Sequence, residues 1–478
     1  MPRPRWIVPL LALTIAFQIL THLFWLANAA HVGGVAVPFE VARGGQLYTT
    51  VVENRAPAVA WGLAWLFRAL PTDPARALRG LNLVLVIAIT LGVTWAALCL
   101  PTPQKAIAAL VALGLWVWWE PVYGNVLFYY DSVLGGVLLA AFVAYLALER
   151  RPVLAAAVMG LLLGLGMLVK QHGVVAIGLV GLWWLWMAFR TRRVAPLVAF
   201  GVGALVFPLV GIGWFAAQGR LADYLFWSFG FNLGGYMPSG LPVGSFVYKM
   251  VLTHIFIPPF MWAAWRTRDP LRVLLLALWL GGSVVLLPRT GEIHTMGMLP
   301  FTALISGWAL ADVWGALRRD EGSPLVAGWL GVVAAVMVGW LWAGAVTYIP
   351  NPLGRASIPA YDEFKALAEQ LNALKTEGDT LMVLPTLDGN AQLYTLTDMR
   401  APGVWSFHHA CMVCARGLGE QLFADWQIAP PTFVVVFPDL ITPDQRLEPL
   451  LEQLEFGYRV IDNTMKIPFN GATIVYGK

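Results

Sequence analysis

The run VLAAAVMGLLLGLGMLVKQHG, residues 153–173, holds no charge from Val153 to Val169 and then turns polar at Lys170-Gln171-His172. A helix needs about 20 mostly apolar residues to cross a bilayer, where it must satisfy its own backbone polar groups. The run therefore reads as a transmembrane helix whose polar end meets the membrane surface. Working outward, similar runs begin near Trp6, Leu78, Lys105, Asp131, Gly173, Ala195, Ser245, Leu271, Thr295 and Pro324. With the quoted run they predict an all-α polytopic membrane domain of about eleven transmembrane helices.

Composition agrees. Hydrophobic residues make up 59% of the chain and charged residues 12%, against roughly 25% charged in a soluble domain. Mean hydropathy is +0.69. The 23 Trp and 24 Phe suit a chain with many membrane–water interfaces. A net charge of +4 is too small to indicate nucleic acid, and the lipid bilayer is the expected partner.

The basic residues set the orientation. Arg3 and Arg5, Lys105, Arg150 with Arg151, Arg190 with Arg192 and Arg193, Arg266 with Arg268 and Arg272, and Arg318 with Arg319 fall on alternate connections. Those connections face the cytoplasm by the positive-inside rule, so the amino terminus is cytoplasmic and the protein sits in the cytoplasmic (inner) membrane. The first external loop, 28–76, carries arginines too, but a loop of that length constrains orientation less. The basic start, apolar run and Ala27-Asn28-Ala29 also fit a signal peptide with an A-x-A cleavage site. The apolar run is long for a signal peptide, which favours a retained helix.

Near Tyr348 the polarity becomes ordinary. We divide the chain into a membrane domain, 1–348, and an α/β domain, 349–478. The second part has short β-type runs at Thr380–Leu384, Thr432–Phe437 and Ala472–Tyr476, and helical segments at Ala360–Leu374 and Arg446–Leu454. An odd number of spans from a cytoplasmic start puts this domain outside the cytoplasm. No internal repeat stands out, which argues against a repeat-built transporter.

Ionisable residues at membrane depth are expensive and mark functional sites by default. Glu40, Glu53, Arg55, Glu120, Asp131, Lys170, Gln171, His172, Arg220, Lys249, Arg289, Glu292 and His294 all map to external helix ends or external loops. A one-sided collection of both charge signs predicts a site working on something at the outer leaflet.

Four segments in order carry a family pattern. They are Ala42-Arg43-Gly44-Gly45-Gln46-Leu47-Tyr48 with Glu53-Asn54-Arg55-Ala56-Pro57, then Tyr129-Tyr130-Asp131-Ser132, then Gly164 to Gly173, then Glu292-Ile293-His294 ahead of Leu299-Pro300. Together they resemble the conserved loops of GT-C glycosyltransferases, among them protein mannosyltransferases and the aminoarabinose transferase of lipid A. The resemblance implies a GT-C-type membrane domain and transfer of a sugar from a polyprenyl-phosphate donor to an extracytoplasmic acceptor, a membrane lipid or envelope glycan. It implies no organic cofactor, and a metal requirement is left open. Breaking the anomeric bond leaves a phosphate anion, which cations stabilise. Arg55, in the position of the family's Lys, Lys170 and Arg289 are the candidates to bind the donor phosphate. An acceptor needs a carboxylate to take its proton. The family places an acid at the outer end of the first span, where this chain reads Ala29-Ala30-His31-Val32. The candidate bases are therefore Asp131, Glu40 and His31, in that order, with Glu53, Gln171, Glu292 and His294 as further substrate contacts. Two other functions stay open at this point: a transporter or flippase of a lipid-linked substrate, and a non-catalytic protein of this fold that binds lipid-linked sugar.

His408-His409-Ala410-Cys411-Met412-Val413-Cys414 is a separate feature. Its residue types and spacing suit zinc. An external location equally suits a Cys411–Cys414 disulfide, and two free thiols stay open as a third alternative.

Overall fold

The computed structural model describes residues 7–25, 32–70, 74–124, 128–234, 250–251, 253–286, 292–318, 328, 361–386, 390–403, 418–441, 448–463, 466–467 and 471–478. In chain order the helices begin with α1 (Ile7–Trp25), α2 (Val32–Ala42), α3 (Ala58–Ala69), α4 (Pro74–Cys99) and α5 (Lys105–Gly124). They continue with α6 (Tyr130–Leu148), α7 (Pro152–Val169), α8 (Gly173–Thr191) and α9 (Ala195–Ala217). Next come α10 (Leu221–Leu225), a π-helical turn (Phe226–Gly230) and α11 (Phe231–Gly234). After α12 (Ile257–Thr267) and α13 (Pro270–Ser283), a 3-10 turn (Glu292–Gly297) leads into α14 (Leu299–Arg318).

Among the described residues five helices are long and apolar enough to cross a membrane: Gly80–Cys99, Tyr130–Leu148, Pro152–Val169, Gly173–Thr191 and Ala195–Ala217. Leu182 and Phe189 on α8, and Val198, Val202, Leu205 and Leu209 on α9, are exposed. Such apolar faces suit lipid rather than water, and the chain is built as a multi-pass membrane protein. The first long connection is more ordered than a loop, since it contains α2 and α3 packed against each other.

The chain divides into two compact units. The first comprises Met1–His22, Asn82–Gly211 and Gly240–Pro352. In it α14 packs along α5, and α6, α7 and α8 pack in sequence. Where α7 meets α9, a Cβ added at Gly160 would lie 2.2 Å from the Phe200 carbonyl oxygen, so small residues set the approach, as in many membrane helix pairs.

The second unit comprises Leu23–Leu81, Ile212–Ser239 and Leu353–Lys478. Its sheet strands are β1 (Leu381–Leu384), β2 (Phe433–Val436), β3 (Arg459–Asp462) and, after the short β4–β5 pair (Lys466–Ile467, Gly471–Ala472), β6 (Ile474–Gly477). The order is β1-β2-β6-β3, with β1 and β2 parallel and the other pairs antiparallel. Both parallel strands are buried along their whole length, which is why they read as unbroken apolar runs. Helices α15 (Tyr361–Leu374), α16 (Gln392–Thr397), α17 (Leu418–Ile428) and α18 (Glu448–Gly457) contribute Phe364, Leu371, Leu393, Trp426 and Leu454 to the core around them.

Candidate functional site

Among the described residues each unit contains a buried charged cluster. In the first unit, Asp131 lies in the first turn of α6 and is fully buried. Its Oδ2 accepts from Lys170 Nζ at 2.5 Å and from His294 Nδ1 at 2.8 Å. A carboxylate only accepts, so His294 carries its proton on Nδ1. Lys170 caps the C-terminal end of α7, and His294 rides on the 3-10 turn. The Tyr129 ring lies 5.6 Å from the Lys170 ammonium and 5.6 Å from the His294 ring.

Local packing brings these pieces together. Gly135 lies one turn beyond Asp131, and a Cβ there would sit 2.5 Å from the Met296 carbonyl oxygen. Only glycine lets the 3-10 turn approach α6 so closely, and that approach carries His294 to Asp131. The α7–α8 turn is closed by backbone bonds from Gly173 N to Lys170 O at 2.8 Å and from Val175 N to His172 O at 3.0 Å. Gln171 and His172 share this turn. His172 Nε2 lies 3.6 Å from Asp131 Oδ1. Burial, and then the Lys170 ammonium, hold the His172 imidazole down at about 3, so it is neutral at pH 7.

In the second unit Arg55 and Glu53 are both buried. Glu53 Oε1 accepts from the Arg55 backbone N–H at 3.0 Å and from Nη1 at 3.2 Å. Tyr48, in the left-handed region at φ 72, donates its hydroxyl to the Arg55 carbonyl at 2.6 Å and accepts from Ser228 Oγ at 3.1 Å. Asn232 Nδ2 donates to the Asn54 carbonyl at 2.6 Å and to the Trp227 and Ser228 carbonyls at 3.1 and 3.2 Å. Those two carbonyls belong to the π-helical turn. A π-turn and a left-handed tyrosine in one network are features that gather at functional sites.

Glu40, near the end of α2, is also buried in the second unit. Burial raises its carboxyl above the usual range, while Arg43 and Arg400 pull it down. Arg43 Nη1 pairs with Asp398 Oδ1 at 2.9 Å, and Arg400 Nη2 donates to the Arg43 carbonyl at 3.2 Å.

The structure thus gathers Asp131, Lys170, Gln171 and His294 in one unit, with Glu292 opening the turn that carries His294, and Glu40, Glu53 and Arg55 in the other. His31, Arg289, His408, His409, Cys411 and Cys414 lie outside the described residues. Among the described residues no group of three or more His, Cys, Asp or Glu side chains could hold a metal. Tyr48 stood in the family pattern without a role, and Ser228 and Asn232 went unnoticed in the sequence, because neither an uncharged polar side chain nor a π-turn stands out there. His172, next to Lys170-Gln171, read as an interfacial residue, and its approach to Asp131 exists only in the fold.

Compared with protein-family models and with curated proteins, the sequence matches none. Its structure does match. ArnT from Cupriavidus metallidurans in the apo state superposes with a TM-score of 0.63 at 14% identity, covering 98% of each chain. The same protein bound to undecaprenyl phosphate gives 0.59 with the same coverage. This chain has the GT-C fold. The archaeal oligosaccharyltransferase AglB from Archaeoglobus fulgidus, in complex with an inhibitory peptide and a dolichol-phosphate, also matches the GT-C chain. Its TM-score is 0.57 at 11% identity, over 95% of this chain and 72% of AglB. At such identities the GT-C likeness is one of fold, and the chemistry has to be argued from this chain's own residues.

Proposed function

We propose that this protein is a membrane glycosyltransferase that moves a sugar from a polyprenyl-phosphate carrier to an acceptor on the outer side of the membrane. The observation that carries the reading is Asp131, a fully buried carboxylate with one oxygen bonded to Lys170 and His294, in a chain of GT-C fold. Asp131 serves as the base that accepts the acceptor's proton, with Glu40 and then His31 as the alternatives. Lys170 and His294 hold the carboxylate in position through their hydrogen bonds to Oδ2. Arg55 binds the carrier phosphate through its planar guanidinium, held in place by Glu53. Lys170 and Arg289 add positive charge for the departing phosphate, and Gln171 and Glu292 contact substrate. In this reading the chain has about eleven spans, a cytoplasmic amino terminus, a membrane part over 1–348 and an external domain over 349–478. That domain holds either a disulfide or a zinc ion at Cys411 and Cys414 with His408 or His409.

One feature of the sequence favours a second reading: the outer end of the first span, Ala29-Ala30-His31-Val32, offers no acid. A protein of this kind would bind the carrier and transfer nothing. Transfer from undecaprenyl-phosphate-linked sugars should be measured for the unmodified protein and for Asp131→Asn, Glu40→Gln and His31→Ala. Asp131→Asn should lower turnover by about 100-fold or more while undecaprenyl phosphate still binds, and Arg55→Ala should weaken that binding. Full activity in all three acid–base variants would remove the assignment. Carrier binding without transfer by the unmodified protein would favour the second reading.

A further inference from the structure

Asp131 uses its two oxygens unequally. Oδ2 carries both the Lys170 and the His294 bonds, while Oδ1, on a side chain with no exposed surface, has no hydrogen-bond partner among the described residues. His172 Nε2, 3.6 Å away, is buried and likewise without a hydrogen-bond partner among the described residues. A buried polar atom without a partner is rare enough to ask for a reason, and here two of them face each other. Their separation is too long for a direct hydrogen bond. A single oxygen can lie at about 2.8 Å from both.

Fixed elements set the two atoms facing each other. The bonds on Oδ2 fix Asp131, and the closed turn between α7 and α8 fixes His172. The His172 side chain retains 13% of its exposure, whereas that of Asp131 has none. Both facing atoms are themselves covered, so a ligand atom enters the gap as the imidazole turns aside.

We propose that Asp131 Oδ1 and His172 Nε2 together receive the nucleophilic hydroxyl of an alcohol acceptor, which makes His172 a second catalytic residue. The inference rests on the transferase reading above and names the acceptor's chemistry. His172, being neutral, is no ion-pair partner for Asp131, and with its proton on Nε2 it donates into the gap. A hydroxyl accepts that bond with one lone pair, donates its proton to Oδ1, and keeps its second lone pair for the anomeric carbon. A neutral amine has one lone pair, which cannot both accept from His172 and attack. In the step, the hydroxyl oxygen bonds to the anomeric carbon. The bond from that carbon to the carrier phosphate breaks, and its electron pair leaves on the phosphate. The hydroxyl proton passes to Asp131 Oδ1. The products are a glycoside and polyprenyl phosphate.

The test uses the full-length protein with undecaprenyl-phosphate-linked pentose and hexose donors. Octyl β-glucoside and octylamine serve as alcohol and amine acceptor probes. His172→Phe should lower transfer to octyl β-glucoside by about tenfold or more and raise the acceptor KM, leaving the Kd for undecaprenyl phosphate unchanged. His172→Gln, which retains an N–H near the same point, should recover part of the loss. Full turnover in His172→Phe, equal losses in the Phe and Gln variants, or transfer to octylamine alone would each overturn the assignment while leaving the transferase reading intact. An unmodified protein that transfers to neither probe from any donor would overturn that reading, and this inference with it.

Discussion

Asp131 and Lys170 behave as one unit, because neither charge is tolerable alone where they lie. Their side chains are 0% and 8% exposed, and removing one member of a buried pair costs roughly 3–5 kcal/mol because the other charge stays uncompensated. Lys170→Met should therefore unfold at a markedly lower temperature in detergent. The Asp131→Asn/Lys170→Met double variant should recover much of that loss, and strictly additive losses would show that the pair is not coupled. Glu40 presents the opposite situation, a carboxyl whose proton is favoured by burial. Its folded value is raised above 4.5, so its contribution to stability is complete below that pH and is lost as pH rises through the folded value. Glu40→Gln mimics the protonated form. Its melting temperature relative to the unmodified protein should rise from pH 4 to pH 8, whereas parallel profiles would mean that Glu40 is solvated in both states.

At the level of elements, two close contacts set the geometry of the two clusters. The α6 face at Gly135 meets backbone: an added Cβ would lie 2.5 Å from the Met296 oxygen, whereas at Gly136 the nearest atom is a Leu85 side-chain methyl at 3.0 Å. Backbone cannot step aside as a leucine can, so Gly135→Ala should lower the melting temperature more than Gly136→Ala. The overpacking penalty at Gly135 is on the order of 1–3 kcal/mol. Equal shifts would mean that the 3-10 turn carrying His294 adjusts freely. In the other unit, Asn232 ties the π-helical turn to the segment that ends in Arg55. Asn232→Ala should accelerate hydrogen exchange over residues 48–55 and leave α6, α7 and α8 unchanged. Unaltered exchange over 48–55 would show that Tyr48 holds the segment without help.

For the whole molecule, the arginine pattern makes a topological claim that stands apart from the chemistry. A reporter enzyme fused after Lys478 should be active when it requires an extracytoplasmic location and silent when it requires the cytoplasm. The opposite result would invert the membrane orientation and move the proposed site to the wrong face.

The sequence by itself determined the broad class, because the transmembrane signal is local. A long uncharged run such as Val153–Val169 has few options other than a helix in lipid, and the observed α7, Pro152–Val169, occupies that run. The parallel strands were equally legible, since Leu381–Leu384 and Phe433–Val436 are apolar on both faces. The charged residues also announced themselves, each being costly at membrane depth. Which charges meet was not legible. Asp131, Lys170 and His294 are separated by up to 163 positions, and Arg55 and Asn232 belong to segments that only packing joins. The tertiary structure decided that Lys170 bonds to Asp131 in one unit and Arg55 to Glu53 in the other. It also decided that His172 faces a carboxylate oxygen without a hydrogen bond among the described residues. Side-chain partners depend on how helices approach, and that is set by a few small residues such as Gly135, whose meaning appears only when the second backbone is in place.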